Sequence, residues 1–177
     1  MDVYRFALGM RTALFQCGQV ARALQGRVTP EEKAPDSPHQ TSTEVSVVDR
    51  LCQEILLLRA HEVAPDVDVQ SEELADCPPE VLALYRPGPH RHALILDPLD
   101  GTGEYLAGGD RYAHMLGLLD QKTGRMACGM IYFPATYRLY IAVRGVGAWV
   151  QAGWRAPLCR MPRVDPVPVG EFAGEPV

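Results

Sequence analysis

The chain has 177 residues, of which 47% are hydrophobic and 22% charged, and its formal net charge at pH 7 is −5. This length corresponds to about one ordinary domain with a buried core. The mild acidity argues against a nucleic acid polymer as the main partner, because polyanion binding draws on clustered Lys and Arg.

The first predicted element is an amphipathic helix. Apolar residues recur at i, i+3, i+4 and i+7 spacing from Val3 to Leu24, and Gly26 is expected to lie near its end. Residues 27–40 carry three prolines and many charges, which predicts a mobile surface loop.

A second helix follows, and two capping boxes compete for its start. One is residues 41–44 and the other is residues 46–49, so Asp49 lies on or near the first turns in either case. Its predicted apolar face consists of Val45, Val48, Leu51, Cys52, Ile55 and Leu58.

The period of the pattern then changes from helical to strand-like. Alternation over residues 67–70 predicts a short strand that runs into the segment 71–73. Residues 77–89 are expected to be a loop with about one helical turn. The next strand, residues 92–96, is predicted to stop abruptly at Asp97.

Three further apolar runs are separated by turn signals and predict a strand meander, at residues 115–119, 126–133 and 137–143. A small hairpin is expected around residues 151–153. The predicted fold is therefore an α+β layered sandwich, residues 1–159, with two N-terminal helices packed on a largely antiparallel sheet. Residues 160–177 are predicted to be a poorly ordered Pro/Gly-rich tail.

The five cysteines are scattered and form no CxxC pair. This spacing argues against a disulfide framework and a zinc site, and it favours small buried side chains in a reducing compartment. No run approaches the roughly 18 apolar residues that a membrane helix needs. We therefore expect no membrane partner and a cytoplasmic location.

The segment from Asp97 to Thr102 is a candidate for metal and phosphate chemistry. Asp97 and Asp100 are three residues apart after an apolar strand, and two carboxylates held this close repel each other unless a cation lies between them. Oxygen ligands of this kind suit Mg²⁺ or Ca²⁺. The alternative is an ordinary Asp-Gly turn with solvated acids.

Three segments, taken in order, resemble the N-terminal half of the inositol monophosphatase superfamily. Residues 97–102 resemble its DPxDGT signature, residues 71–73 its Gly-Glu-Glu segment, and residues 45–49 its Val-Thr-x-x-Asp segment. The resemblance extends over residues 3–158. Val48 departs from it, since the family usually has a small or hydroxyl residue there.

The resemblance implies a magnesium site, with two or three ions expected when it is complete. Its ligands would be the carboxylates of Glu72, Asp97 and Asp100 and the backbone carbonyl of Leu99. Glu73 would lie in the outer layer around these ligands or at an outer metal site.

The resemblance also implies the catalytic groups. Asp49 and Thr102 would orient and activate the water that attacks phosphorus, and the backbone N–H groups of Gly101 and Thr102 would hold phosphate oxygens. The implied function is a metal-dependent phosphomonoester hydrolase acting on a small phosphorylated metabolite.

Two residues bear on the substrate. Glu104-Tyr105 resembles the 3′(2′),5′-bisphosphate nucleotidase branch and favours a bisphosphate nucleotide, with inositol monophosphate next and fructose bisphosphate behind both.

The alternative function is a truncated, catalytically deficient member that acts as a binding or subunit partner. The family continues into a second domain with a Trp-Asp-x-Ala segment, and nothing after Arg160 resembles it. We therefore expect either a homodimer or a separate C-terminal half as partner.

Overall fold

A computed structural model describes residues 1–32, 44–86 and 88–162. The helices in these ranges are α1 (Val3–Leu24), α2 (Val47–Val63), α3 (Pro79–Leu82) and α4 (Thr102–Leu106), with a 3₁₀ turn at Leu74–Asp76. The strands there are β1 (Glu31–Glu32), β2 (Glu44–Val45), β3 (Asp68–Ser71), β4 (His92–Asp100), β5 (Ala113–Asp120), β6 (Arg125–Phe133), β7 (Arg138–Val143), β8 (Gly147–Ala152) and β9 (Cys159–Arg160).

Seven of these strands form one sheet in the order β3-β4-β5-β6-β7-β8-β9, and β1 pairs with β2 separately. Every pair of neighbours in the large sheet is antiparallel except β3 and β4, which are parallel. A parallel pair needs a crossover connection, and the 3₁₀ turn and α3 lie within it. The predicted α+β architecture is confirmed, with one parallel pair that the sequence did not indicate.

The helices α1 and α2 pack together against one face of this sheet. The core between the two layers contains large, fully buried side chains, including Phe6, Met10, Leu14, Leu56, Leu57, Leu94, Leu118 and Met130. The predicted apolar face of α1 lies in this core. Burial of one continuous apolar face against a sheet is the main source of stability for such helices.

The predicted apolar face of α2 is wrong at Leu51 and Leu58, and Val45, which was also assigned to it, belongs to β2. Leu51 is 38% exposed and Leu58 is 47% exposed, whereas Leu56 and Leu57 are fully buried. Apolar residues occur on more than one side of this helix, so its periodicity admits two stripes. Packing against α1 and β4 selects the stripe through Leu56 and leaves Leu51 and Leu58 at the surface.

The strand predicted to stop at Asp97 continues through the acidic segment to Asp100. Asp97 pairs with Met115 and Asp100 pairs with Ala113, so three steps along β4 match two steps along β5. The extra residue makes a β-bulge, which bends a strand and interrupts its ladder. Pro98 lies in this bulge, where its missing N–H removes no regular ladder bond.

The predicted hairpin around residues 151–153 is also wrong. Gln151 is fully buried inside β8, where its side-chain oxygen accepts hydrogen bonds from Arg11 at 2.9 and 2.6 Å. The amide nitrogen of Gln151 donates to the carbonyls of Gly153 and Trp154, and β8 pairs with β9 rather than with residues 154–156. The buried amide of Gln151 needs these hydrogen-bond partners. The segment therefore continues as a strand, although its composition is typical of a turn.

Some predictions concern residues outside the described ranges. The capping box at 41–44 and the predicted loop fall largely on residues 33–43, and most of the predicted tail falls on residues 163–177. Arg160, the first residue of that tail, belongs to the sheet because it pairs with Trp149.

The cysteines follow the predicted pattern with one exception. Cys17, Cys52, Cys77 and Cys128 are buried free thiols, whereas Cys159 is exposed on the edge strand β9. Among the described residues, no helix combines the length and the hydropathy needed to cross a membrane.

Candidate active site

Asp49 and Thr102 meet in a buried hydrogen-bonded pair. Asp49 is 1% exposed and Thr102 is 7% exposed. The Thr102 hydroxyl lies 3.0 Å from Asp49 Oδ1 and 2.9 Å from the Leu99 carbonyl oxygen, so its single proton can be donated to either acceptor. The structure thus brings together two predicted catalytic residues and one predicted metal ligand from distant parts of the chain.

Asp49 is held in place by the start of α2. Ser46 is the N-cap, and its backbone N–H and hydroxyl both donate to Asp49 Oδ2, at 2.8 and 2.6 Å. This is the second of the two predicted capping boxes, and it fixes the carboxyl so that Oδ1 faces Thr102. Burial raises the pKa of Asp49, although the hydrogen bonds from Ser46 and Thr102 oppose that shift.

Gly101 makes the turn that delivers Thr102 to this position. Its φ is +83°, and a Cβ at this residue would lie 2.7 Å from the Arg111 carbonyl oxygen. Both the left-handed backbone and the close approach of the segment that precedes β5 require glycine. The helix α4 begins at the next residue, so Thr102 stands at the junction of strand and helix.

The three predicted carboxylate ligands are electrostatically coupled. Glu72 follows the end of β3, and its N–H donates to the Leu96 carbonyl at 3.2 Å, which places it beside Asp97 on β4. Burial, followed by the charges of Glu72 and then Asp100, raises the pKa of Asp97 to about 7. Asp97 is thus a carboxyl whose negative charge is disfavoured by its surroundings.

The donor chemistry of this cluster fits a hard divalent cation. Carboxylate and carbonyl oxygens are the ligands Mg²⁺ prefers, and a cation would relieve the repulsion at Asp97. Within the described ranges, however, no group of three or more His, Cys, Asp or Glu side chains stands in an arrangement that could hold a metal ion. Convergence of Glu72, Asp97 and Asp100 on one ion therefore stays a prediction.

Gln53 is a polar residue of this region that the sequence analysis missed. It is fully buried on α2, one turn after Asp49, and its amide nitrogen donates to the Glu73 carbonyl at 2.6 Å. The Ser71 hydroxyl donates to the side-chain oxygen of Gln53. Gln53 thereby ties the Glu72–Glu73 segment to the helix that carries Asp49. Glu73 itself is 3% exposed.

The two residues that favoured a bisphosphate nucleotide have different environments. Tyr105 is fully buried, and its hydroxyl donates to the Ala21 carbonyl at 2.8 Å, so it anchors α4 to α1. Glu104 forms a two-point ion pair with the largely exposed Arg111, with N–O distances of 3.2 and 3.1 Å. Of the two, only Glu104 lies where a bound ligand could contact it.

The chain is similar in sequence to known phosphatases. The model of the inositol monophosphatase family matches residues 6–171. A histidinol-phosphatase of Chlorobaculum parvum is 32% identical over 108 residues, which cover 61% of this chain and 38% of that protein. An inositol-1-monophosphatase of Mesorhizobium japonicum is 31% identical over 106 residues, covering 60% of this chain and 36% of that protein.

Solved structures share the fold. CysQ from Bacteroides thetaiotaomicron, a bacterial member of the inositol monophosphatase family, superposes with a TM-score of 0.62 at 22% identity. The superposition covers 92% of this chain and 59% of that one. The matched part of the chain covers only 38% and 36% of the length of the two curated relatives.

Proposed function

We propose that this chain, which belongs to the inositol monophosphatase family, is a metal-dependent phosphomonoester hydrolase acting on a small phosphorylated metabolite. The observation that carries the proposal is the buried Asp49–Thr102 pair, with the Leu99 carbonyl in contact with the same hydroxyl. The coupled carboxylates around Asp97 support a cation next to this pair.

The chain's own residues would position a water molecule for attack on phosphorus. When Thr102 donates its proton to Asp49, the hydroxyl oxygen keeps lone pairs that can accept a hydrogen bond from that water. Asp49 then acts through Thr102, and its raised pKa makes it a better proton acceptor than an exposed carboxylate. A bound divalent cation would supply charge neutralisation and lower the pKa of water.

The phosphate itself would be held by backbone groups. The N–H groups of Gly101 and Thr102 stand at the strand–helix junction beside the catalytic pair, and we assign them to phosphate oxygens. Their rigid placement, which depends on the left-handed Gly101, would contribute orientation rather than chemistry. Glu73 would act from the outer layer of the site.

For the substrate we favour a 3′(2′),5′-bisphosphate nucleotide, with inositol monophosphate next. The preference for a nucleotide now depends on one of the two residues that suggested it. Tyr105 belongs to the core, and only the Glu104–Arg111 pair is accessible to a ligand. The curated relatives include phosphatases named for different substrates, which favours the phosphomonoester class without selecting a member of it.

A second candidate is a catalytically deficient chain that serves as a binding or subunit partner. The observation that favours it is that no three metal-ligating side chains stand ready together within the described part of the chain. In that case, the Asp49–Thr102 pair is a structural bond between α2 and α4.

Phosphate release in the presence of Mg²⁺ tests the proposal, with phosphoadenosine phosphate and inositol monophosphate as substrates. Thr102→Val keeps the side-chain shape and removes the hydroxyl, so we expect a loss of about 10²-fold or more in turnover. Thr102→Ser keeps the hydroxyl and should retain most activity. Equal phosphate release by wild type and Thr102→Val would contradict the proposed role. Absence of release by the wild type, with Mg²⁺ bound, would support the second candidate.

A further inference from the structure

His114 makes a buried hydrogen bond to the middle of the acidic segment. It lies on β5, is fully buried, and its Nδ1 is 2.5 Å from the Pro98 carbonyl oxygen. A carbonyl can only accept, so Nδ1 carries the proton and donates. The other ring nitrogen, Nε2, has no hydrogen-bond partner within the described residues.

The accepting carbonyl belongs to the β-bulge between Asp97 and Asp100. Regular pairing with β5 is interrupted there, so the Pro98 carbonyl lacks the ladder position that a continuous strand would provide. A buried carbonyl without a donor is costly. The imidazole on the neighbouring strand supplies that donor and so stabilises this particular bulge.

The ring of His114 is fixed from the side. It stacks on Tyr132 at a centroid distance of 6.2 Å and an interplanar angle of 25°. Tyr132 in turn packs so closely on Gly18 of α1 that a Cβ there would lie 2.2 Å from its ring. The imidazole is therefore held between the sheet and α1, with little freedom to rotate.

The ring is neutral at physiological pH. Burial lowers the pKa of His114 to about 4, against the opposite effect of the carbonyls of Pro98 and Cys17. A neutral donor can hold the bulge without adding positive charge next to the candidate cation site.

We propose that His114 is a positioning residue for that site: its bond to the Pro98 carbonyl sets the bulge that places the Asp97 carboxyl and the Leu99 carbonyl. The inference rests on the proposed function, because it assumes that these two groups bind a divalent cation. His114 would act through the Pro98 carbonyl and not as a ligand of the cation.

Two variants of similar shape test the hydrogen bond directly. His114→Asn keeps an N–H donor near the position of Nδ1, whereas His114→Leu has the same branching and no donor. Groups that orient metal ligands typically change affinity by about 10–100-fold when removed. We therefore expect His114→Leu to weaken Mg²⁺ binding at least ~10-fold by titration calorimetry, and His114→Asn to restore most of it.

Leu118→Val is the matched control for lost core stability. Leu118 is also fully buried on β5, four residues from His114, and contacts no part of the acidic segment through a hydrogen bond. The Leu118→Val substitution should lower the melting temperature and leave the Mg²⁺ affinity unchanged. Affinities should be compared at a temperature at which every variant is folded.

The outcomes separate the inference from the proposed function. Wild-type protein that binds no Mg²⁺ would overturn both. Mg²⁺ affinity that is normal in wild type and equal in His114→Leu would overturn the positioning role alone, and so would an equal loss in Leu118→Val. If His114→Leu does not fold, nitrogen NMR of the wild type decides: we expect the Nδ1–H tautomer at pH 7, and the Nε2–H tautomer would overturn the inference.

Discussion

The charge of Asp97 is disfavoured in the metal-free protein, and this has a calculable consequence for pH dependence. Its pKa is raised to about 7, mainly by burial and then by Glu72 and Asp100. An unfolded Asp titrates near pH 4, so between about pH 4 and 7 the native state holds a proton that the unfolded state has released. The free energy of unfolding should therefore fall as pH rises through this window and stay low above it.

Asp97→Asn should remove this pH dependence. One pKa unit corresponds to about 1.4 kcal/mol, so after discounting for partial exposure we expect the metal-free variant to gain roughly 2–4 kcal/mol over wild type at pH 8. Urea unfolding of wild type and variant from pH 4 to 8 measures this difference in the free energy of unfolding, with Asp66→Asn as an exposed control. The variant should also lose any Mg²⁺-dependent rise in melting temperature, and retention of that rise would show that Asp97 is not a ligand.

At the scale of an element, the strand–turn–helix unit requires glycine at position 101 for two separate reasons, the left-handed backbone angle and the close contact with Arg111. Gly101 and Gly108 both have left-handed backbone angles, with φ of +83° and +81°. A Cβ on Gly108 would meet nothing within 4 Å, whereas one on Gly101 would lie 2.7 Å from the Arg111 carbonyl. Comparing the two alanine variants therefore separates the cost of the backbone angle from the cost of the close contact.

We expect Gly108→Ala to lower the free energy of unfolding by about 1–2 kcal/mol, the usual cost of a left-handed non-glycine residue. Gly101→Ala should cost about 1–3 kcal/mol more, because the neighbouring backbone must also move. Chemical denaturation measures both. Equal losses would mean that the approach of Arg111 relaxes freely and that only the backbone angle matters.

The connection between α2 and β3 also depends on one side chain. Gln53→Leu would leave the Ser71 hydroxyl without its buried acceptor, whereas the Glu73 carbonyl would still accept a hydrogen bond from the Asp76 N–H at 3.1 Å. An unpaired buried polar group costs about 1–3 kcal/mol, so we expect the free energy of unfolding in urea to fall by roughly 1–3 kcal/mol. Adding Ser71→Ala should recover part of this loss, since it removes the unpaired hydroxyl. A strictly additive double variant would contradict the coupling.

Considered over the whole molecule, local patterns predicted the elements better than their pairings. Helix periodicity and the capping box at Ser46 are local, and they located α1, α2 and Asp49 correctly. The bulge at Pro98 and the parallel β3–β4 pair depend on partners elsewhere in the sheet, so the proline looked like a strand end. Gln53 was not predicted as a buried polar link because its partners lie 18 and 20 positions away in the chain.

The two faces of the sheet differ in how they are covered. One face packs on α1 and α2, while the other carries an apolar groove of about 480 Å³ lined by residues of β4 to β8 and by Met161. Met126 is 42% exposed there, and Ile131 and Met161 are each 37% exposed. Contiguous exposed apolar surface of this kind promotes association.

We therefore expect residues 1–177 to self-associate through this face, in line with the homodimer that the sequence analysis raised. Ile131→Lys places a charge in the middle of the groove and should weaken the dimer at least ~10-fold, about 1.4 kcal/mol, in sedimentation equilibrium. Leu58→Lys is the control, because Leu58 is 47% exposed as well but lies on α2, away from the groove. Equal weakening by both variants would point to a general charge effect, and unchanged association in Ile131→Lys would exclude this face as the contact surface.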